Sequence, residues 1–174
     1  MADPLVRPSG LAVEGLPAEG VARFERELAP ILKRYPEDRK SSAMIPALRI
    51  GQEIFGYLSP AVMALAADRL GVSPARAEEV ATFYVMLHPE PHGRHLVEIC
   101  TNVSCALAGG EEIFDRLKAK LGLENGGTTG DGKLTLREVE CLGCCGTAPA
   151  MLVDDDQHER LTPEKVEQIV GALK

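Results

Sequence analysis

The sequence predicts an α+β protein in which an N-terminal helical bundle is followed by a small α/β domain. Between residues 18 and 88, apolar residues recur at helical spacing, and Ser-Pro helix starts alternate with glycine helix stops. From residue 93 onward, short apolar runs typical of buried strands alternate with helical segments. The break between the halves contains Pro89, Pro91 and Gly93, which favour an irregular connection.

Residues 1–17 are rich in Gly, Pro and Ala and lack periodicity, which predicts a flexible lead-in. The first helix begins near Ala18, and Pro30 is expected to kink or interrupt it. Three further helices are expected, with boundaries at Ser41 or Ser42 to Phe55, Ser59-Pro60 to Leu70, and Ser73-Pro74 to about Tyr84. Together these segments make the helical bundle of residues 18–88.

The second half predicts the order strand–helix–strand–strand–helix over residues 93–174. The first strand ends at Cys100 and is followed by a helix from about Leu107 to Leu121. The remaining elements are expected at Leu134 to Val139, Ala150 to Val153, and from Thr162-Pro163 onward. Asp154 to Asp156 are expected to form a turn.

Charge and composition exclude several classes of function. The chain has 26 acidic and 19 basic residues and a net charge of -7, with no Lys/Arg block, so nucleic-acid binding is not expected. No apolar stretch is long enough to cross a bilayer, and no basic segment followed by an apolar run opens the chain. We therefore expect a cytoplasmic protein without direct membrane insertion, whose thiols stay reduced.

Five cysteines fall into two groups, Cys100/Cys105 and Cys141/Cys144/Cys145. Each group follows a predicted strand, so the strand ends can bring the thiols together at one edge of a sheet. Four thiolates are the ligand set of a [2Fe–2S] cluster. The sequence therefore predicts such a cluster, held by Cys100, Cys105, Cys141 and Cys145, and an electron-transfer function.

Two other kinds of cysteine site remain open at this point. A structural zinc site also uses four thiolates, although only Cys141-x2-Cys144 has the usual knuckle spacing. A redox dithiol of the Cys-x-x-Cys type should open a helix, and the residues after Cys144 do not favour one. Cys144 is interpreted as a non-ligand, since adjacent cysteines cannot easily both reach one cluster.

The surroundings of the thiols suggest how an anionic cluster is stabilised. Asn102, Ser104, Gly143 and Gly146 can present backbone N–H groups close to sulfur, and the helix after Cys105 can direct its N-terminal amides there. Pro149 directly precedes a predicted strand, and we expect a cis Ala148–Pro149 peptide bond beside the site.

Four segments carry a resemblance to a known family. They are KRYPEDRKSSAMIPALRIGQEIFGYLS, LGVSPARAEEVATFYVMLH, VEICTNVSCALAGGEEI and VECLGCCGTAPAMLV. The chain resembles the E subunit of bacterial NADH–quinone oxidoreductase (complex I), the thioredoxin-like [2Fe–2S] ferredoxin family, from about Phe24 to Leu173. The resemblance implies that the α/β domain of residues 93–174 is thioredoxin-like. It places the family's ligands on Cys100, Cys105, Cys141 and Cys145, whereas Cys144 stands where the family usually has a small residue.

The resemblance further implies a subunit in the peripheral arm of an inner-membrane complex. The cluster would accept electrons from FMN on a partner flavoprotein subunit that also binds NADH, beside an iron–sulfur subunit of the same arm. No phosphate-binding glycine motif occurs in this chain, so we expect the isolated chain not to oxidise NADH. The same module occurs in soluble NAD-linked formate dehydrogenases and hydrogenases, and a zinc-stapled interaction module without redox role is the alternative of another class.

Overall fold

A computed structural model describes residues 15–174, in which two compact units lie either side of the Pro91–His92 bond. Residues 1–14 lie outside the described part, so most of the predicted lead-in does too. Within residues 15–174, no helix is both long enough and apolar enough to cross a membrane.

The first unit is helical. Its α-helices are α1 (Ala18–Leu32), α2 (Met44–Phe55), α3 (Pro60–Leu70) and α4 (Pro74–Phe83), and a 3-10 helix over Glu37–Ala43 precedes α2. The predicted starts of α3 and α4 are confirmed, and the Ser59 Oγ atom accepts the Val62 N–H at 3.3 Å as an N-cap. Two expectations were wrong in detail. The helix α1 continues through Pro30 to Leu32, and residues 41–43 belong to the 3-10 helix.

Pro30 is tolerated because it stands two residues before the last residue of α1, where few backbone hydrogen bonds remain to be lost. The helices surround one apolar core that includes Phe24, Leu48 and Leu65. A Cβ atom added at Gly51 would lie 2.6 Å from Val62 Cγ1, so the glycine lets α2 and α3 approach closely.

The segment after α4 is fastened to this unit by polar contacts. Gln52 donates from Nε2 to the Met86 carbonyl at 3.1 Å, and its Oε1 atom accepts the His88 N–H at 2.6 Å. Leu58 donates its N–H to the His88 carbonyl at 2.8 Å. The residues that lead out of the bundle are therefore held to α2 by one side chain.

The second unit contains a four-stranded sheet. In chain order its elements are β1 (His95–Cys100), α5 (Val103–Leu107), α6 (Gly110–Leu121), β2 (Leu134–Val139), β3 (Met151–Val153), β4 (Asp156–His158) and α7 (Pro163–Ala172). The strand order is β2-β1-β3-β4, with β1 and β2 parallel and the other pairs antiparallel. The mixed α/β architecture after a helical bundle is the predicted fold class.

Three differences from the prediction concern this unit. The helix expected from Leu107 is two helices, because Gly109 adopts φ 92° and separates α5 from α6. The strand β4 was not expected, and Asp156 belongs to it, not to the turn. The turn itself is confined to Asp154 and Asp155, with Asp154 at φ 54°.

The two faces of the sheet have different roles. On one face Val97, Ile99 and Leu136 pack in an apolar core with residues of α6 and α7, and Glu167 on α7 pairs with Arg116 and Lys120 on α6. Residues at alternate positions of a strand point to the opposite face. Cys100 therefore lies on the face away from that core, at the end of β1.

Candidate metal centre

The parallel pair β1–β2 brings the two cysteine groups to one edge of the sheet. Cys100 is the last residue of β1 and pairs in register with Val139, the last residue of β2. The ladder continues for one more residue, since Thr101 donates its N–H to the Val139 carbonyl at 3.0 Å. Cys141 follows two residues after β2, so both groups begin at the same edge, as the strand pattern predicted.

Cys105 is placed by the short helix α5. Asn102 caps this helix, with its Oδ1 atom accepting the Val103 N–H at 2.8 Å. The start of α6 packs tightly behind it, because a Cβ atom at Gly110 would lie 2.7 Å from the Cys100 carbonyl oxygen and 2.9 Å from that of Cys105. Cys105 is thus buried inside a helix, where the sequence prediction had placed the helix after it.

The loop that carries the second cysteine group is tightly wound. Gly143 adopts φ 75°, and its N–H donates to the Cys141 Sγ atom at 3.4 Å, as expected for an amide close to sulfur. A 3-10 turn over Cys145–Thr147 follows. The Ala148–Pro149 peptide bond is cis, which confirms the prediction, and the Ala150 carbonyl then accepts the Cys100 N–H at 3.1 Å.

All five thiols are free, but they differ in exposure. Cys100, Cys105 and Cys144 pack together in a small apolar cluster with Val139 and Ala150, whereas Cys141 and Cys145 are exposed. The exposed thiols belong to the same group of charges, since Cys145 acts electrostatically on Cys105, and Cys141 acts on Cys144. The structure therefore brings the four predicted ligands together, and it also brings in Cys144.

Burial governs the acidity of the inner thiols. It raises the pKa of Cys105 to about 11, and a hydrogen bond with the Cys100 thiol acts in the same direction. Burial also raises the pKa of Cys144, with the carboxylate of Glu159 as the next cause. Protons leave such thiols when a metal binds, because only thiolates are ligands. Glu159 was not expected here, because it follows the unpredicted strand β4.

The chemistry of the donors fits a two-iron cluster. The groups gathered at this edge are cysteine thiols, which are the preferred ligands of iron–sulfur clusters. A structural zinc ion takes four ligands at one point, whereas a [2Fe–2S] cluster spreads four thiolates over two irons. Within residues 15–174, no three thiol, imidazole or carboxylate side chains are arranged to hold a single metal ion.

Fold and site together define a class: α/β metalloproteins that gather cysteine thiols at the end of a parallel strand pair. A family model described as thioredoxin-like [2Fe-2S] ferredoxin matches residues 28–174. The chain belongs to this family, which makes the α/β unit thioredoxin-like and its metal centre a single [2Fe–2S] cluster. The zinc-stapled alternative is thereby overturned.

Relatives with known names extend over most of the chain. The E subunit of NADH-quinone oxidoreductase from Mycobacterium bovis is 40% identical over 171 residues, which cover 96% of this chain and 67% of that protein. An E subunit of the same enzyme from Rhizobium meliloti, the one numbered 2, is 41% identical over 151 residues, covering 87% and 89%.

A solved structure shows the same fold. An NAD+-reducing [NiFe]-hydrogenase in the H2-reduced state superposes with a TM-score of 0.63 at 21% identity, over 75% of this chain. The chain spans only 22% of the hydrogenase chain that it matches. The likeness therefore concerns architecture.

Proposed function

We propose that the chain is the [2Fe–2S] electron-transfer subunit of an NADH–quinone oxidoreductase (complex I). In this role it accepts electrons from the FMN of a partner flavoprotein subunit that oxidises NADH. The observation that carries the proposal is the gathering of cysteine thiols at the β1–β2 edge in a chain of the [2Fe–2S] family. The identity of about 40% to two named E subunits supports complex I as the parent enzyme.

Cys100, Cys105, Cys141 and Cys145 are the proposed ligands. When bound, the cluster supplies reversible one-electron transfer. The chain's own residues set the conditions for it. Cys100 and Cys105 are buried, which limits access of water, and the Gly143 N–H donates to the sulfur of Cys141, which stabilises negative charge there.

The surface around Cys105 is suited to a partner protein. Val103 is 70% exposed and Leu107 is 87% exposed, one helical turn apart on α5 and on either side of Cys105 in the chain. Exposed apolar side chains beside a metal centre favour contact with another subunit. The flavoprotein is the proposed occupant, and an iron–sulfur subunit of the peripheral arm is the second proposed partner.

The alternative parent enzyme is a soluble NAD-linked formate dehydrogenase or hydrogenase. The hydrogenase structure shares the fold but only 21% of the sequence, and the E subunits are almost twice as similar. Complex I is therefore the proposal, which places the chain in the peripheral arm of a membrane complex. Membrane-arm genes beside this one would support the choice, and a molybdopterin or nickel–iron subunit gene would overturn it.

The role is tested by reduction with NADH. The cluster-loaded chain is mixed anaerobically with NADH, with and without the flavoprotein subunit, and bleaching of the visible absorbance is followed. We expect no bleaching by NADH alone, because a hydride donor needs a flavin to separate its two electrons. We expect rapid bleaching when the flavoprotein is added. Bleaching by NADH without any flavin, or none with the flavoprotein, would refute the role.

The surface on α5 is tested by Leu107→Asp in the same assay. A charge there should slow the flavoprotein-dependent bleaching while leaving the cluster spectrum unchanged. Ala119→Asp, on an exposed position of α6, is the matched control and should bleach at the wild-type rate. Equal rates for the two variants would show that α5 is not the contact surface.

A further inference from the structure

Cys144 occupies the inner position of the 141–145 loop. Its side chain is buried, with 8% of its surface exposed, and it packs with Cys100 and Cys105. Its Sγ atom donates to the Leu142 carbonyl at 3.3 Å, within its own loop. Cys145, the neighbour that matches the family's ligand pattern, is exposed. The loop thus presents toward the two buried ligands the cysteine that the family pattern leaves unassigned.

The number of thiols exceeds the number that a cluster needs. A [2Fe–2S] cluster takes four thiolates, and five cysteines are gathered here. Cys144 and Cys145 are adjacent in the chain, so their side chains leave the backbone in different directions. One of the two can face the cluster while the other faces away, and a local rotation of the loop exchanges them.

The loop has the backbone features that such an exchange requires. Gly143, directly before Cys144, adopts φ 75°, a conformation that glycine reaches without steric cost. Cys145 begins a single short 3-10 turn, closed by the Thr147 N–H and the Cys144 carbonyl at 2.9 Å. The segment is fixed by few backbone contacts of its own, whereas Cys100 and Cys105 are fixed by a strand and a helix.

We propose that Cys144 is an alternative fourth ligand of the cluster, exchangeable with Cys145. This inference rests on the proposed ligand set and extends it. In the exchange, an iron–sulfur bond to Cys145 breaks and one to Cys144 forms. The Cys144 thiol releases its proton to solvent and the Cys145 thiolate takes one up, so that charge and oxidation state are unchanged.

The test compares alanine variants of the full chain, purified anaerobically: Cys144→Ala, Cys145→Ala and the double variant. Iron and acid-labile sulfide are measured per chain, together with the visible spectrum and the paramagnetic spectrum of the reduced cluster. We expect the Cys144→Ala protein to match the wild type. We expect the Cys145→Ala protein to keep its cluster with shifted spectra, and the double variant to lose it.

Loss of iron from Cys145→Ala as complete as from the double variant would overturn the inference. A wild type without iron would instead refute the proposed function, so the two failures are distinguishable. Cys145→Ser provides a second comparison if the alanine variant folds poorly. A serine oxygen ligand alters the spectrum differently from a fourth sulfur, so identical spectra for Cys145→Ser and Cys144→Ala/Cys145→Ser would also overturn it.

Discussion

Cys100 and Val139 end their parallel strands in register with each other. This single relationship explains why two cysteine groups far apart in sequence meet at one edge of the sheet. Every residue after Cys100 and after Val139 leaves the sheet in the same direction, because the strands are parallel. The metal centre therefore depends on the β1–β2 register and on whatever holds the α5 and 141–145 segments against it.

Gly110 is one residue that holds α5 in place. We expect Gly110→Ala to destabilise the protein by about 1–3 kcal/mol, because the added methyl group overlaps the carbonyl oxygens of Cys100 and Cys105. Thermal unfolding and iron retained per chain measure the effect. Gly146→Ala is the matched control in the same site, since its Cβ atom would meet nothing within 4 Å. Equal stability of the two variants would show that the close packing behind α5 is unimportant.

Glu98 and Arg137 form a cross-strand ion pair on the β1–β2 register. The Glu98 Oε1 atom accepts from Arg137 Nε at 3.1 Å and from Nη2 at 2.5 Å, and Glu98 is only 3% exposed. Burial raises the pKa of Glu98, and Arg137 opposes that rise. Removal of the arginine therefore leaves a buried carboxylate without this partner.

We expect Arg137→Met to lower the free energy of unfolding by about 1–3 kcal/mol. Addition of Glu98→Gln should recover part of the loss, because the amide carries no charge. Denaturant unfolding of the single and double variants measures the coupling between the two side chains. Strictly additive losses would mean that the pair makes no net contribution.

His95 should confer a pH dependence on the α/β unit. Its Nδ1 atom lies 2.8 Å from Asp154 Oδ2, and its Nε2 atom lies 3.1 Å from the Lys174 carbonyl oxygen. The hydrogen bond with Asp154, followed by that with the carbonyl, raises the pKa of His95 above its ordinary 6.5. This contribution to stability is therefore full below pH 6.5 and is lost as the pH rises through the higher folded-state pKa.

Asp154→Asn tests this contribution, since the amide oxygen can still accept the Leu96 N–H that Oδ1 accepts at 2.9 Å. We expect the pKa of His95, followed by proton NMR of its ring, to fall toward the ordinary value. The extra stability on the acidic side should fall with it. An unchanged His95 titration would show that Asp154 is not the cause of the raised pKa.

The sequence predicted those elements whose residues carry strong local signals. The strand β2 was expected at its observed bounds, because apolar residues alternate through it, and α3 was expected from its Ser-Pro start and glycine stop. The strand β4 has no such signal. It consists of the polar residues Asp156 to His158, and its pairing with β3 comes from tertiary contact alone.

The metal centre was predictable in its membership but not in its geometry. Strand ends and cysteine spacing were sufficient to predict that the two groups meet. They could not show that Cys144 is buried and Cys145 exposed, because that depends on the φ of Gly143 and on the turn over Cys145–Thr147. The separation of α5 from α6 is likewise a consequence of close packing at Gly110.

The central claim is that this chain holds a [2Fe–2S] cluster through its cysteine thiols. The most direct test is the content of iron, acid-labile sulfide and zinc in the full chain purified anaerobically. We predict about two irons and two sulfides per chain, with visible absorbance that a one-electron reductant bleaches. Serine at Cys100 or Cys105 should abolish or alter that absorbance. Stoichiometric zinc in a colourless protein without iron would contradict the account.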